Sequence, residues 1–147
     1  MIKIIIADDH SIVREGLKQI IADTRDMMVC DEACDGSELL EKVLLSKYDV
    51  VVLDITMPGT NVLDVLKQIK RQQPATQVLV LSMHPEEQYA VRVLKAGASG
   101  YLTKESAPSE LVAAIRKVSQ GRKYISPAFA ENLADTLLSN HDQPIHA

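Results

Sequence analysis

The reactive side chains of this 147-residue chain stand where runs of aliphatic residues stop. Asp8 and Asp9 follow the first run, Asp54 follows four consecutive aliphatic residues, and Ser82 and Lys104 follow two later runs. Three carboxylates brought together repel one another unless a cation neutralises them. A hard divalent ion such as Mg2+ fits such a cluster, because it takes oxygen ligands and keeps several waters. The spacing therefore predicts an acidic metal site.

The same residue types suit phosphoryl transfer, which needs an in-line nucleophile, a metal and fixed cations around the equatorial oxygens. Asp54 would be the nucleophile. Asp8 or Asp9 and the main-chain carbonyl of Thr56 would hold the metal with it, so that the candidate metal ligands are Asp8, Asp9, Asp54 and Thr56. Lys104 would pair with the phosphate, and the Ser82 hydroxyl would contact its oxygens. Each residue alone is a weak signal, because an acid at a strand end is often only a solvated turn residue. Together they favour this chemistry strongly.

The elements that must position these residues alternate between strands and helices. Aliphatic runs predict buried parallel strands, and apolar residues at three-four spacing predict helices between them. The predicted strands are Ile2 to Ala7, Met28 to Ala33, Tyr48 to Leu53, Gln77 to Leu81 and Ala98 to Leu102. Right-handed crossovers favour an α/β, flavodoxin-like, doubly wound five-stranded parallel sheet of order 2-1-3-4-5. The Asp8-Asp9 pair and Asp54 should then converge at the switch point between strands one and three.

Capping residues predict where the helices begin and end. Ser11 is predicted to cap the first helix, and Asp35-Gly36-Ser37 turns the chain into the second. Pro85-Glu86-Glu87 should open the fourth helix, which is expected to stop at Gly97. The fifth helix is predicted over Ser106 to Gln120.

The pattern changes beyond Gly121. Ser126-Pro127 resembles the start of a helix that would continue to about Ser139, and residues 140–147 are polar and expected to be disordered. We therefore predict a domain over residues 1–121, followed by a linker helix and tail over residues 122–147.

Composition limits the compartment and the partners. A formal charge of -4 and 3% aromatic residues argue against a nucleic-acid surface. No signal peptide or membrane-length apolar run is present, which predicts a cytoplasmic protein with no membrane partner. Cys30 and Cys34, if they share a strand, lie about 13 Å apart, beyond the roughly 7 Å limit for a disulfide. They are predicted to be packing residues in a reducing compartment.

Residues 1 to about 120 resemble the receiver domain of two-component response regulators. The matching residues are the acid pair, the phosphoacceptor motif Asp54-Ile55-Thr56-Met57-Pro58-Gly59, Ser82, Tyr101 and Lys104. Ala7-Asp8-Asp9-His10, Leu81 to His84 and Gly97 to Lys104 resemble the NarL/FixJ subgroup, whose members usually continue into a LuxR-type helix-turn-helix that binds DNA. We expect that domain to be missing here, so that the chain is a truncated receiver rather than a single-domain regulator.

The resemblance implies a signalling switch. Asp54 would accept a phosphoryl group from a sensor histidine kinase, with Mg2+ as cofactor and at most slow self-dephosphorylation. In the family, the aromatic matching Tyr101 turns inward when the hydroxyl at Ser82 moves to the phosphate, although Tyr101 could also be an ordinary strand residue with a wet hydroxyl. The implied outputs are homodimer formation and control of transcription through the missing DNA-binding domain.

Val62 departs from the family pattern, which normally has glycine at this position. A β-branched residue resists positive φ, so we expect a reshaped or strained loop before the third helix. His84 and Thr56 are expected to flank the phosphate site and tune its lifetime, whereas His10 is expected at the surface.

Three other functions stay open. Haloacid-dehalogenase-like phosphatases also use a strand-end aspartate and Mg2+, but they need a second aspartate as general acid where Thr56 stands. A binding module that is never phosphorylated is disfavoured by the intact acids and Lys104. Flavin binding would rest on the fold alone, which is a poor guide to function.

Overall fold

The computed structural model of the protein describes residues 1–83 and 87–125, in which strands and helices alternate. The strands are β1 (Ile2–Ala7), β2 (Met27–Ala33), β3 (Val50–Asp54), β4 (Gln77–Ser82), β5 (Gly100–Thr103) and β6 (Tyr124–Ile125). The helices are α1 (Ser11–Ala22), α2 (Gly36–Leu45), α3 (Val62–Gln72), α4 (Glu87–Lys95) and α5 (Ala107–Ser119). None of the helices in these ranges is long and apolar enough to span a membrane.

All strand pairs are parallel, in the order β2-β1-β3-β4-β5-β6. The predicted flavodoxin-like fold and the 2-1-3-4-5 order are confirmed. The sheet continues to Ile125, past the predicted domain boundary at residue 121, because β6 pairs with the outer edge of β5. The predicted start of the fourth helix at Pro85 and the predicted linker helix and tail over residues 126–147 lie outside the described residues.

Alternate strand residues point to opposite faces of the sheet, and each face carries its own core. On one face, α2, α3 and α4 pack over a cluster that includes Ile5, Val51 and Val80. On the other face, α1 and α5 pack over a cluster that includes Ile6 and Val52. Both faces of β3 are therefore buried, which explains its uninterrupted aliphatic run and fixes the position of Asp54 at its end.

The β1–α1 connection differs from the prediction. His10 is the N-cap residue with extended backbone, and Ser11 is the first helical residue, so the prediction of Ser11 as the cap is wrong. The His10 amide donates to Asp8 Oδ1 over 2.8 Å. The aspartate side chain, rather than a serine hydroxyl, therefore organises this turn. The predicted turn into α2 at Asp35-Gly36-Ser37 is confirmed, and Asp35 caps the helix by accepting a hydrogen bond from the Glu38 amide.

Both cysteines are exposed and free, so the prediction that they pack inside is wrong. The register of β2 against β1 shifts between Ile4, which pairs with Val29, and Ile5, which pairs with Asp31. Cys30 is thus the extra residue of a bulge in this edge strand, and its side chain is exposed. Cys34 follows the end of β2 and is also exposed.

Val62 causes no backbone strain, which makes the expectation of a strained loop wrong. It is the first residue of α3 and packs with residues of α2 in the core. No non-glycine residue in the described ranges has a positive φ. The left-handed position of this loop is Gly59, with φ 73°, and Asn61 caps the helix by accepting a hydrogen bond from the Asp64 amide.

The short strand β6 is anchored to β5 and α5 by several contacts. The Tyr124 amide donates to the Ser99 carbonyl over 3.0 Å, and the Tyr124 hydroxyl donates to Glu110 Oε1 over 2.7 Å. Lys117 Nζ lies 5.8 Å from the centroid of the Tyr124 ring, and Lys123 Nζ donates to the Ala98 carbonyl. Burial and the hydrogen bond to Glu110 raise the pKa of Tyr124 to about 12.

Gly100 is the residue of β5 that lets β6 approach. A Cβ at Gly100 would lie 2.8 Å from Leu79 Cδ1 and 2.9 Å from the Tyr124 carbonyl oxygen. Since one of these atoms belongs to the main chain, a side chain there would push the two strands apart.

Gly100→Ala should therefore lower the free energy of unfolding by about 1–3 kcal/mol, the usual cost of overpacking. Gly16→Ala is the control, because a Cβ at this helical position meets no atom within 4 Å. It should raise the stability by about 0.5–1 kcal/mol. Urea denaturation measures both values, and amide exchange at Tyr124 should accelerate only in Gly100→Ala. Equal stability of the two variants would contradict this packing.

Candidate functional site

The predicted acids meet at one edge of the sheet. Asp8 follows β1 and Asp54 ends β3, and these strands are neighbours in which Ala7 pairs with Leu53. Both carboxylates are buried, each residue being only 1% exposed, whereas Asp9 is partly exposed. One ligand atom each from Asp8, Asp9, His10 and Asp54 lie within 4.8 Å of one another. The parallel topology thus concentrates three negative charges in a small volume.

Lys104 lies between the two buried carboxylates. Its Nζ is 3.3 Å from Asp8 Oδ2 and 3.2 Å from Asp54 Oδ2, and its side chain is 14% exposed. The Lys104 amide donates to the Ser82 carbonyl over 2.7 Å, which fixes the start of the β5–α5 loop against β4. The Lys104 ammonium is therefore shared by the two buried carboxylates.

Two buried carboxylate oxygens of the cluster accept no hydrogen bond. They are Asp8 Oδ2, whose ion pair with Lys104 lacks hydrogen-bond geometry, and Asp9 Oδ1, which contacts the His10 imidazole. Buried polar atoms are ordinarily paired, because desolvation without a partner is costly. Oxygen atoms of this kind, in a cluster with excess negative charge, fit a bound cation. The donor set suits a metal that prefers oxygen ligands.

His10 makes a contact that the sequence analysis missed. The side chain is 63% exposed, as expected of a surface residue, yet its Nδ1 lies 2.9 Å from Asp9 Oδ1 and 3.4 Å from Asp8 Oδ1. The sequence feature that could have predicted this contact is that His10 directly follows the acid pair. The imidazole therefore belongs to the electrostatic environment of the acids.

The carboxylate of Asp54 is held by the residue two positions later. Thr56 Oγ1 lies 2.8 Å from Asp54 Oδ1 and 3.0 Å from Oδ2, and the Thr56 amide donates to Oδ1 over 3.1 Å. The sequence predicted that Thr56 flanks the phosphate site and binds the metal through its carbonyl, but it did not predict this contact of the hydroxyl with Asp54. Together with Lys104, these donors fix the orientation of the Asp54 carboxylate.

Ser82 and Tyr101 occupy the neighbouring strands. Ser82 is buried at the end of β4, where it pairs with Thr103. Tyr101 is buried in the core and only 1% exposed, so its ring points inward and its hydroxyl is not wet. The structure thus gathers the acids and Lys104 directly, and it places Ser82 on the adjacent strand end. The roles of these residues stay predictions, and His84 lies outside the described residues.

Lys104→Met should destabilise the fold, because it leaves Asp8 and Asp54 buried without their cation. Removal of one partner from a buried ion pair costs about 3–5 kcal/mol. In an Asp54→Asn background the same substitution should cost less, because one of the opposing charges has gone. Urea denaturation without divalent ions measures this double-mutant cycle. Lys18→Met, which removes the surface ion pairs of Lys18 with Glu15 and Glu32, is the control and should lower the stability much less than Lys104→Met does. If Lys104→Met lowered the free energy of unfolding equally in the wild-type and Asp54→Asn backgrounds, the interaction between Lys104 and Asp54 would be contradicted.

Comparison with known proteins places the chain in a family. A family profile described as "Response regulator receiver domain" matches residues 4–116. The response regulator GacA of Pseudomonas aeruginosa is 38% identical over 146 residues, which cover 98% of this chain and 68% of GacA. The chain thus spans about two thirds of the length of the curated relatives that it matches.

Solved structures agree with this result. A LuxR-family two-component response regulator from Aurantimonas sp. SI85-9A1 superposes with a TM-score of 0.86 at 36% identity, with 92% of this chain and 97% of that chain covered. RcsB of Salmonella typhimurium gives a TM-score of 0.83 at 27% identity over 90% of this chain and 67% of RcsB. RcsB has also been solved as dimers bound to DNA. The chain therefore belongs to the response regulator receiver domain family, in the group of LuxR-type response regulators.

Proposed function

We propose that this chain is a phosphorylation-switched receiver in which Asp54 accepts a phosphoryl group with Mg2+ as the cofactor. The observation that carries the proposal is the buried Asp54 carboxylate, which lies in a cluster with Asp8 and Asp9 and 3.2 Å from Lys104. Members of the family are phosphoacceptors, and the donor would be a sensor histidine kinase or a small phosphodonor.

The acids would hold the metal. Asp8, Asp9 and Asp54 supply carboxylate oxygens, and the main-chain carbonyl of Thr56 is the proposed fourth protein ligand. Mg2+, when bound, supplies positive charge to the oxygens of the transferring phosphoryl group. The two buried oxygens without hydrogen bonds, Asp8 Oδ2 and Asp9 Oδ1, support this assignment.

An oxygen of Asp54 would form the new bond to phosphorus while the bond between phosphorus and the donor breaks. The Thr56 hydroxyl and amide orient the carboxylate for in-line attack, which reduces the entropy cost of reaching that geometry. Lys104 already lies next to Asp54 and needs only a small displacement to pair with the phosphoryl oxygens. Ser82, at the end of the adjacent strand, would donate its hydroxyl to the same group.

The phosphoryl group would also drive the switch. It adds about -1.5 to -2 charge units beside the carboxylates, so it should attract Lys104 and Ser82. A shift from mostly inactive to mostly active takes about 5.5 kcal/mol of differential binding. One charge-assisted contact of Lys104 supplies about 1.5–3 kcal/mol. The metal and Ser82 must therefore contribute, and Tyr101 would report the change at the surface of α4, β5 and α5.

A phosphatase with rapid turnover is the alternative, and the site disfavours it. Thr56 occupies the position of the general acid that such enzymes need, and its hydroxyl already donates to Asp54. The proposed activity is therefore phosphate acceptance with at most slow self-dephosphorylation. Transcription control through a C-terminal DNA-binding domain is proposed from the similarity to LuxR-type regulators.

The phosphoacceptor role is tested by mass spectrometry after incubation with acetyl phosphate and Mg2+. The wild-type chain should gain the mass of one phosphoryl group in a base-labile form, and Asp54→Asn should gain none. Asp64→Asn, an exposed carboxylate on α3, is the control and should label like the wild type. Labelling that survives in Asp54→Asn would refute the assignment of Asp54.

The switch is tested with beryllofluoride and Mg2+, a stable mimic of the phosphoryl group. Sedimentation should show a larger dimer fraction, or amide NMR shifts should extend from the site to residues 87–94 and 101–117. Tyr101→Leu is expected to keep the shifts near Asp54 and lose the distant ones. The switch would be contradicted if the NMR shifts were confined to residues that touch Asp54 and if sedimentation showed no change in the dimer fraction.

A further inference from the structure

We propose that Arg14 is a positioning residue for the Asp8-Asp9 pair, an inference that rests on the proposed function of this site. Arg14 lies in the first turn of α1, and its side chain is 19% exposed. Its Nη1 donates to the main-chain carbonyl of Asp8 over 2.6 Å, and its Nε donates to Glu32 Oε1 over 2.9 Å. The guanidinium thus joins the end of β1 to β2 and α1.

The carbonyl that Arg14 holds belongs to the peptide unit between the two acids. The amide of Asp8 is fixed separately, because it donates to the Ala33 carbonyl of β2 over 3.0 Å. With both main-chain groups of Asp8 held, the plane of the next peptide and hence the position of the Asp9 Cα are determined. The Oδ1 of Asp9 contacts the imidazole of His10, which follows Asp9 directly in the chain and is itself 63% exposed, so this contact does not tie the acid to another element. Arg14 therefore controls where the second acid lies.

Glu32 fixes the guanidinium from the opposite side. It lies on β2, where it pairs with Ile6, and its second oxygen accepts from Lys18 Nζ over 3.0 Å. The hydrogen bonds from Lys18 and Arg14 hold the pKa of Glu32 below its ordinary value. Arginine suits this position because its planar fork donates in two fixed directions, whereas a lysine ammonium offers one point charge.

A purely structural ion pair would have a different effect on metal binding. If Arg14 served only the contact between α1 and β2, its loss would lower stability by a small amount and leave the acids in place. If its charge alone mattered, its loss would tighten Mg2+ binding, because a competing cation near the acids would disappear. Loss of a positioning contact weakens binding instead, and residues that orient metal ligands typically contribute 10–100-fold in affinity. The sign of the change distinguishes these roles.

The test is a Mg2+ titration followed by amide NMR, with urea denaturation of every variant in parallel. Arg14→Met should weaken Mg2+ binding at least tenfold and slow phosphorylation by acetyl phosphate. Arg14→Lys should also weaken Mg2+ binding, because it keeps the charge but loses the fork. Lys18→Met is the matched control, since it removes a bond to Glu32 without touching Asp8, and its Mg2+ affinity should equal that of the wild type.

Unchanged or tighter Mg2+ binding in Arg14→Met would overturn the inference. If that variant does not fold, Arg14→Lys decides, and wild-type affinity in it would overturn the inference as well. If Lys18→Met and Arg14→Met weakened Mg2+ binding equally, the effect would come from a general loosening of α1. That result would also overturn the inference. A wild-type chain that neither binds Mg2+ nor accepts phosphate would refute the proposed function itself.

Discussion

The repulsion between three carboxylates at one edge of a parallel sheet is the constraint on which the rest of the structure depends. Asp8 and Asp54 are buried because β1 and β3 are adjacent strands with helices on both faces. The ammonium of Lys104 lies between them and contacts both. Such an arrangement is costly unless a further cation or a new ligand rearranges the charges. The stability of this edge is therefore coupled to what binds there.

The sequence predicted the sheet well because its signals are collective. Long aliphatic runs such as Val50 to Leu53 identify buried strands, and right-handed crossovers then leave few possible orders. The two-residue strand β6 carries no periodic signal, and its main chain lies close to Gly100, where a side chain would not fit. The bulge at Cys30 likewise depends on the register of two strands, which composition does not specify.

The sequence predicted which residue types form the candidate site and at which strand ends they lie. Acids and a lysine that follow aliphatic runs must gather at one edge of a parallel sheet, and these side chains do so. The hydroxyl of Thr56 and the guanidinium of Arg14 were missed for a different reason. Their contacts depend on side-chain rotamers and on the direction of single peptide groups, which residue spacing does not determine. At Val62 the sequence indicated backbone strain that the structure does not have. The helix α3 starts at this residue, so Val62 does not need a positive φ.

The position of β5 explains how a local charge event would reach the surface of this fold. Lys104 follows the strand directly, Tyr101 lies buried within it, and Gly100 packs against Tyr124 of β6. Hydrogen bonds to β4 on one edge and β6 on the other hold the strand as one unit. Close-packed interiors transmit displacement rather than absorb it. In the proposed switch, a pull on Lys104 toward a phosphoryl group at Asp54 would therefore act on the strand to which β6, the last described segment of the chain, is attached.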